Sequence, residues 1–275
     1  MGISASDVKA LRDQTGAGMM DCKKALVEAN GDIATAIDLL RKKGQKLSAK
    51  RADREANEGV VIAMISDDSK KGIVVKLSCE TDFVAKNDDF VAFAQKIADL
   101  ALSTFADTKE ELLAVDFGGI SLGDKITEHV GVIGEKVELT DYEKLTGECI
   151  VPYIHMGYRA GVIVALNKSG DAAVEAGKNV AMQVAAMKPV ALDKDGVDAS
   201  IIEKEIEIGM EQARAEGKPE AMLERIAQGK LAKFFKEKTL LNQMFVKDNK
   251  QNIATYLGSV EAGLTATAFK HVKLG

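Results

Sequence analysis

Residues 76–88 read KLSCETDFVAKND and join a predicted strand to a predicted helix. The apolar run 72–79 has the pattern of a strand, and helical periodicity begins at Asp88. Phe83 therefore falls in a polar connection, which is an unusual place for an aromatic side chain. Two interpretations are open: Phe83 folds back as a local core plug, or it is an anchor for a partner protein, with Asp82 beside it as a charge aimed at that partner.

The composition narrows the class of protein. The chain has 275 residues, 46% of them hydrophobic and 29% charged, which is enough for more than one small core. A net charge of −5 gives the whole molecule no electrostatic footprint for nucleic acid, so we expect no specific nucleic-acid partner. The chain start lacks a basic stretch followed by an apolar one, and no window approaches the ~18 apolar residues of a membrane span. We therefore expect a cytoplasmic protein with no membrane partner.

Cysteine and histidine usage predicts neither a metal site nor covalent catalysis. The three cysteines, at positions 22, 79 and 149, cannot form a fully paired set of intramolecular disulfides and fit no common zinc spacing. They are typical of a reducing compartment. The three histidines are not accompanied by a nucleophile elbow or a phosphate-binding loop. We expect a protein that is not an enzyme and that has no cofactor and no bound metal.

Residues 3–46 have the pattern of a compact unit of three helices. Ser4 or Ser6 can cap the first helix, Asn30-Gly31 can end the second, and Asp32 can cap the third. The predicted apolar stripes are Val8 and Leu11 in the first helix, Met19, Cys22, Leu26 and Ala29 in the second, and Ile33, Ile37 and Leu40 in the third. A unit of this size has a thin core and is suited to docking.

Two features of this N-terminal segment have open alternatives. Of the consecutive residues Met19 and Met20, one can face the core while the other points ~100° away, so Met20 lies either at the rim of the core or on a binding surface. The stretch 41–54 is basic, with Asp53 as its acidic residue, and is either a solvated helical linker or an RNA contact. Both questions depend on which side chains the fold leaves exposed.

After residue 59 the pattern changes to short apolar runs with a period of two. We predict, in order, a β-hairpin of strands 60–65 and 73–75, a helix that buries Phe90, Phe93, Ile97 and either Leu100 or Ala101, a helix over 121–133, and an extended segment over 136–145. The same block then recurs. Residues 60–62 align with 149–151, 72–75 with 161–164, and 91–93 with 180–182.

The two copies differ at the segment that contains Phe83. The second copy has residues 167–171, Asn-Lys-Ser-Gly-Asp, where the first has Thr81–Val84. A feature that is present in only one of two similar units is not required by the packing that they share. The difference therefore favours a functional role for Asp82 and Phe83.

The second half of the chain adds an edge strand and a helical hairpin. Pro152 indicates that strand 149–156 lies at a sheet edge, and His155 near its end is either a plain surface residue or a partner contact. Residues 198–238 are rich in charges of both signs and predict two antiparallel helices, broken at 217–219, that project from the body. A helix over 252–257 and a last strand over 265–272 follow.

These patterns predict an α+β protein with a two-part core of repeated β-hairpin-plus-helix units. The predicted segments are an N-terminal three-helix domain with its basic linker (1–54), a first core subdomain (55–140), a second core subdomain (141–197), a protruding antiparallel helical hairpin (198–238), and a return to the second core subdomain (239–275). The edge strand 149–156 is the candidate surface for a homodimer through the second core subdomain.

Two stretches resemble the signatures of a known family. The stretches LRDQTGAGMMDCKKAL (11–26) and ETDFVAKN (80–87) are similar to those of bacterial elongation factor Ts, and residues 153–155 with Gly161 and residues 243–246 match in order. The resemblance implies a guanine-nucleotide exchange factor for elongation factor Tu, with a ubiquitin-associated-like N-terminal domain. Lys76 and Ser78 replace the usual Glu and Asn of the second signature, and the extra C-terminal helical module of many members has no counterpart.

The resemblance also implies roles for particular residues. The segment Thr81, Asp82, Phe83 and Val84 would wedge into the GTPase domain of elongation factor Tu and dislocate its magnesium ion. The implied docking residues are Met19, Met20, Lys23, Ile133, Gly134, His155 and Val246. The implied partner is elongation factor Tu in its GDP-bound and nucleotide-free states.

Overall fold

The computed structural model of the chain describes residues 3–275, so the first two residues of the predicted domain 1–54 lie outside the described residues. The predicted α+β class is confirmed, because long helices and antiparallel strands occur together. The chain divides into two compact units. The first comprises the residues up to Ile62, Val75–Tyr142 and Lys273–Gly275, and the second comprises Ala63–Val74 and Glu143–Val272. Within residues 3–275, none of the helices combines the length and apolar character needed to cross a bilayer.

The first unit is mainly helical. Its helices are α1 (Ala5–Thr15), α2 (Met19–Glu28), α3 (Ile33–Arg51), α4 (Asp82–Ala85), α5 (Asp88–Thr104), α6 (Lys109–Ala114) and α7 (Leu122–Ile133). Strands β1 (Glu58–Ile65), β2 (Lys71–Cys79) and β3 (Val137–Thr146) form a three-stranded sheet in the order β1-β2-β3, and their residues 63–65, 71–74 and 143–146 belong to the second unit. The short helices α4 and α6 were not predicted.

The helix ends of the N-terminal segment follow the predicted capping residues. Ser4 caps α1 in a capping box: its hydroxyl accepts from the Asp7 N–H at 3.2 Å, and its own N–H donates to the Asp7 carboxylate at 2.9 Å. Gly16 ends the helix in the left-handed region. Asp32 caps α3 by accepting from the Thr35 N–H at 2.7 Å. These short-range interactions explain why the boundaries are visible in the sequence.

The predicted stripe of α3 is confirmed for Ile37 and Leu40, which are half-buried and pack against the core of the N-terminal helices, and is wrong for Ile33, which is exposed. The residues that α3 buries are Ala36 and Gly44. The helix also continues to Arg51, so most of the predicted linker 41–54 is its second half. Gly44 is buried because α3 packs closely on α7 at this point: an added Cβ at Gly131 of α7 would lie 2.9 Å from the Gly44 Cα.

The second unit contains a second hairpin followed by a helix. Its elements are β4 (Cys149–His155), β5 (Ala160–Leu166), α8 (Asp171–Met187), α9 (Ala199–Ala215), α10 (Leu223–Lys238), β6 (Met244–Phe245), β7 (Asp248–Asn252), α11 (Ile253–Val260) and β8 (Ala266–Lys273). The sheet order β4-β5-β8 confirms the predicted edge position of β4, whose antiparallel register pairs Cys149 with Leu166 and His155 with Ala160. Helix α8 packs on β4 and β5.

Helices α9 and α10 form the predicted antiparallel pair. Gly217, in the left-handed region, and Pro219 separate them. Gly209 allows a close approach, since an added Cβ there would lie 3.1 Å from the Ala227 Cα. The apolar pattern of the two helices predicts a contact through Ile202, Ile206, Ala213, Leu223, Ile226, Ala227 and Phe234. Ala213, Leu223 and Ala227 are buried as expected, together with Gly209 and Leu231, whereas Ile202, Ile206, Ile226 and Phe234 are half-buried.

We expect Gly131→Ala to destabilise the protein by about 1–3 kcal/mol, because the methyl group would push α3 and α7 apart. Gly229→Ala in α10 is the matched control, since an added Cβ there meets nothing within 4 Å. Replacing glycine in an open helix interior should raise the free energy of unfolding by up to about 1 kcal/mol. Urea unfolding of both variants checks this, and equal stabilities of the two variants would contradict the close packing.

Candidate functional site

The side chain of Phe83 lies on the surface, 83% exposed. The core-plug interpretation of this residue is therefore wrong. Phe83 belongs to α4, a single turn between β2 and α5, in which none of the residues is buried. Thr81 caps this turn through its hydroxyl, and Asn87 caps the following helix α5. A large aromatic ring is thus held in solvent by backbone that is fixed at both ends.

Asp82 precedes Phe83 and is also at the surface. Its carboxylate accepts from the Lys86 ammonium at 2.6 Å. The hydrogen bond and the positive charge of Lys86 hold the pKa of Asp82 below its usual value. Asp82 is therefore an ionised carboxylate at neutral pH. Within residues 3–275 its ion pair is with the exposed Lys86 on the next turn, and another cation could replace this lysine at little cost.

Two carboxylates fix the backbone around Thr81. Glu135, just after α7, binds Thr81 with both oxygens: Oε1 accepts from the hydroxyl at 2.7 Å and Oε2 from the N–H at 3.0 Å. In return, Glu80 accepts the N–H of Lys136 at 2.6 Å. Each of the two connections therefore provides a carboxylate that accepts a backbone N–H of the other: Glu135 accepts from Thr81, and Glu80 accepts from Lys136. We call this arrangement, formed by Glu80, Thr81, Glu135 and Lys136, the carboxylate clamp.

Glu80 also joins the clamp to the end of α3. Arg51 donates to its Oε1 at 2.5 Å and Arg54 to its Oε2 at 2.9 Å. Burial raises the pKa of Glu80, but the Lys136 N–H and the Arg54 and Arg51 guanidiniums outweigh that effect and lower the pKa to about 2. The side chain is 14% exposed, so water screens these bonds only partly.

The remaining basic side chains of 41–54 include further ion pairs within the same unit. Arg41 pairs with Glu128 on α7, and Lys43 pairs with Asp21 on α2. Together with the bonds of Arg51 and Arg54, these pairs favour a structural interpretation of the basic stretch over an RNA contact. Positive charge that is neutralised inside the chain gives little attraction for phosphates.

The predicted docking residues of α2 form an exposed face. Met19 and Met20 are 55% and 63% exposed, and Lys23 is exposed. The placement of Met19 in the buried stripe with Cys22, Leu26 and Ala29 is wrong. Met19 is the first residue of α2, where a side chain that leans towards the helix N-terminus has no preceding turn to pack on. Val27, which is also exposed, extends this face and was missed, although its seven-residue spacing from Met20 was visible.

The other docking residues lie at element ends. Ile133 is the last residue of α7, and Gly134 caps that helix with a φ of 80°. Both are half-buried and directly precede Glu135. His155, half-buried, is the last residue of β4 and its Nδ1 lies 3.0 Å from the Tyr153 hydroxyl. Val246, 49% exposed, follows β6.

A buried glutamine that the sequence analysis missed fixes Val246. Gln183 of α8 is fully buried, and its Nε2 donates to the Gln243 side chain and to the Met244 carbonyl, both at 3.1 Å. Its Oε1 accepts from the Val246 N–H at 2.9 Å. A buried polar side chain in an apolar helix face is unusual, and that was the available signal. Its partners lie too far along the chain to be identified by spacing.

The structure therefore places the predicted site residues in two groups. In the first unit, the clamp brings Thr81–Val84 together with the end of α7 at Ile133 and Gly134. The face formed by Met19, Met20 and Lys23 belongs to the same unit. In the second unit, the Tyr153 hydroxyl contacts His155, and the distant Gln183 holds the backbone of Val246. The exposed residues of both groups suit contact with a macromolecule, since they offer apolar surface and single charges.

Comparison with known proteins gives one family. The sequence model of the family Elongation factor TS matches residues 80–275. The chain is 55% identical over 273 residues to "Elongation factor Ts" of Christiangramia forsetii and 53% identical over 273 residues to that of Flavobacterium psychrophilum, each alignment covering 99% of both chains. It is 45% identical over 275 residues to "Elongation factor Ts" of Porphyromonas gingivalis, covering 100% of this chain and 99% of that one.

Glu80→Gln should lower the free energy of unfolding at pH 7 by about 1–3 kcal/mol, because charge-assisted hydrogen bonds of the clamp are lost. The pKa of Glu80 in the folded protein is about 2, below the ordinary value of 4.5. The stabilisation is therefore complete above the ordinary value and is lost as the pH falls towards about 2. Urea unfolding at several pH values should show the difference from wild type shrinking across that interval.

Glu138→Gln is the control, because this glutamate pairs with Lys136 at 3.4 Å and its side chain is 48% exposed. It should change stability little at any pH. A difference between Glu80→Gln and wild type that stays constant down to about pH 2 would contradict the assigned ionisation of Glu80.

Proposed function

The chain belongs to the elongation factor Ts family, and we propose that it promotes release of GDP from elongation factor Tu and its replacement by GTP during translation. Family membership supports the exchange function. The observation that best supports the mechanism is the exposure of Phe83 on a fixed single-turn helix within the signature segment 80–87. The activity requires no covalent chemistry from this chain, and we place it in the cytoplasm.

Exchange is a matter of differential binding. This protein must bind nucleotide-free elongation factor Tu more tightly than the GDP-bound form. By thermodynamic reciprocity, its binding then lowers the partner's affinity for the nucleotide by the same ratio. Each ~1.4 kcal/mol of differential binding lowers nucleotide affinity about tenfold. Contacts that bind both states equally add affinity for the partner but expel no nucleotide.

Phe83 is the proposed wedge. Burial of a phenylalanine side chain is worth roughly 1.5–3 kcal/mol. If the ring enters a pocket that opens only in the nucleotide-free state, this amount weakens nucleotide binding by about one to two decades. Thr81 and Val84 support the wedge, because the Thr81 hydroxyl accepts from the Val84 N–H across the turn at 3.4 Å. Phe83 needs no partner inside its own chain, as its exposure indicates.

Asp82 is the proposed group that disturbs the partner's magnesium ion. A magnesium ion that bridges protein and phosphates is a large local charge, so its displacement loosens the diphosphate. Asp82 is ionised and its pairing with Lys86 is at the surface. The carboxylate can therefore leave Lys86 and act on the water shell of the ion.

The docking residues serve association. Met19, Met20 and Lys23 offer adaptable apolar area and one charge. We assign Ile133, Gly134, His155 and Val246 the same supporting role. Because this area is available to every state of the partner, it should affect binding more than the maximal exchange rate.

We also infer the finer architecture from the family. The three N-terminal helices correspond to a ubiquitin-associated-like module, the two hairpin-plus-helix units to a duplicated core, and residues 198–238 to a projecting hairpin. The edge strand β4, with Pro152 in it, is the proposed surface for a homodimer. Each of these assignments stays a prediction.

Phe83→Ala should slow the release of labelled GDP from elongation factor Tu by about one to two decades at saturating concentration. The melting temperature should not change, because the ring is exposed. Met222→Ala is the matched control, since this methionine is 45% exposed in the helical hairpin and has no assigned role. Unchanged exchange by Phe83→Ala would remove the wedge from the mechanism.

Asp82→Ala should lose more exchange activity when magnesium is present than when the ion is chelated. The reason is that the carboxylate is assigned to displacing the ion, and that step is absent once the ion has been removed. The measurement is GDP release with magnesium and with a chelator, for wild type and variant in parallel. Equal losses under both conditions would refute the role in ion displacement.

A further inference from the structure

We propose that Glu135 is a positioning residue for exchange, which orients the turn of Asp82 and Phe83 through its two hydrogen bonds to Thr81. This inference rests on the proposed function and adds a residue to its site. Glu135 does not touch the partner in this proposal. It determines where the wedge points.

The geometry assigns this role to Glu135 because both of its oxygens bind the same residue. Oε1 accepts the Thr81 hydroxyl proton at 2.7 Å and Oε2 accepts the Thr81 N–H at 3.0 Å. The hydroxyl has one proton, and it donates this proton in the hydrogen bond to Glu135. The lone pairs of that oxygen are then directed towards α4, where the Val84 N–H donates at 3.4 Å. Glu135 thus fixes both the backbone and the cap of the turn that holds Phe83.

The turn depends on this anchor because it is too short to define its own direction. A helix of four residues contributes almost no stability by itself. None of its residues is fully buried, and Val84 and Ala85 are only half-buried, so core packing contributes little to its orientation. Besides its bonds to Glu135, Thr81 makes one further hydrogen bond to a residue before the turn: its carbonyl accepts from the Cys79 thiol at 3.2 Å. Loss of the Glu135 carboxylate would leave Thr81 without its two strongest bonds.

Glu80 and Glu135 have different roles in the carboxylate clamp. Glu80 binds the Lys136 N–H and both arginines at the end of α3, so it ties larger elements together and should matter mainly for stability. Glu135 binds only Thr81 in the described contacts, so its loss should disturb the turn more than the fold. The carboxylate clamp also fixes the turn that carries Phe83 relative to the end of α7, where Ile133 and Gly134 lie. A partner that contacts the α7 end therefore meets Phe83 in a fixed position.

The test is GDP release from elongation factor Tu as a function of the concentration of Glu135→Ala and Glu135→Gln. We expect Glu135→Ala to lower the maximal rate by about tenfold, which is the effect of one lost charge-assisted hydrogen-bond pair. The concentration for half-maximal rate should stay within about twofold, because the docking residues are intact. Glu135→Gln keeps one acceptor oxygen and should recover part of the rate.

A second comparison separates positioning from a general structural effect. In a background of Asp82→Ala with Phe83→Ala, adding Glu135→Ala should cause no further loss, because the side chains that it positions are gone. Glu138→Ala is the control, since this exposed carboxylate lies three residues further along the chain. It should exchange like wild type.

Several outcomes would overturn the proposal. A wild-type maximal rate for Glu135→Ala would do so, and so would a loss of the same size in the double-variant background. If Glu135→Ala does not fold, Glu135→Gln carries the test, and failure of both to fold would show that the residue serves stability. If the wild-type protein itself does not accelerate GDP release, both the proposed function and this inference are wrong. That result is distinguishable from the outcomes above, in which the wild-type protein is active and only the behaviour of the variants differs.

Discussion

The carboxylate clamp is the constraint on which the presentation of the signature segment depends. A single exposed helical turn has neither the length nor the buried area to hold one conformation. Glu80 and Glu135 supply that order by accepting backbone N–H groups across two connections, at 2.6 Å and 3.0 Å. The molecule can therefore keep an aromatic ring in water, because the order of the turn comes from part-buried polar contacts at its base and not from the ring.

The second unit uses the same arrangement with a neutral group. Gln183 is buried in α8 and binds three backbone or side-chain groups of residues 243–246, where Val246 is exposed. In both units a hydrogen-bonding side chain, half-buried in the first and fully buried in the second, fixes the backbone beside an exposed apolar side chain. Such an arrangement limits the conformational entropy that binding would otherwise remove, and so leaves more of the contact energy for the partner.

Local rules made much of the fold predictable. Ser4, Asp32 and Ser121 cap helices by hydrogen bonds within three residues, and the hairpins and long helices follow from the hydrophobic period. The errors have tertiary causes. Ile33 and Met19 are exposed, and each is the first residue of its helix, whereas Ile37 and Leu40 of the same predicted stripe of α3 pack on the core. Glu80, Glu135 and Gln183 could not be found, since each binds partners more than 50 residues away. Phe83 could be singled out as a candidate site residue because an aromatic side chain in a polar connection has no local structural reason, and its exposure agrees with that choice.

The central claim is that the exposed turn of this chain expels GDP from elongation factor Tu. Its most direct measurement is the rate of labelled-GDP release from elongation factor Tu over increasing concentrations of the wild-type protein, with magnesium present. The account predicts a rate that rises with concentration and reaches a plateau well above spontaneous release, as differential binding to the nucleotide-free state requires. A release rate that stays at the spontaneous value at every concentration would contradict it.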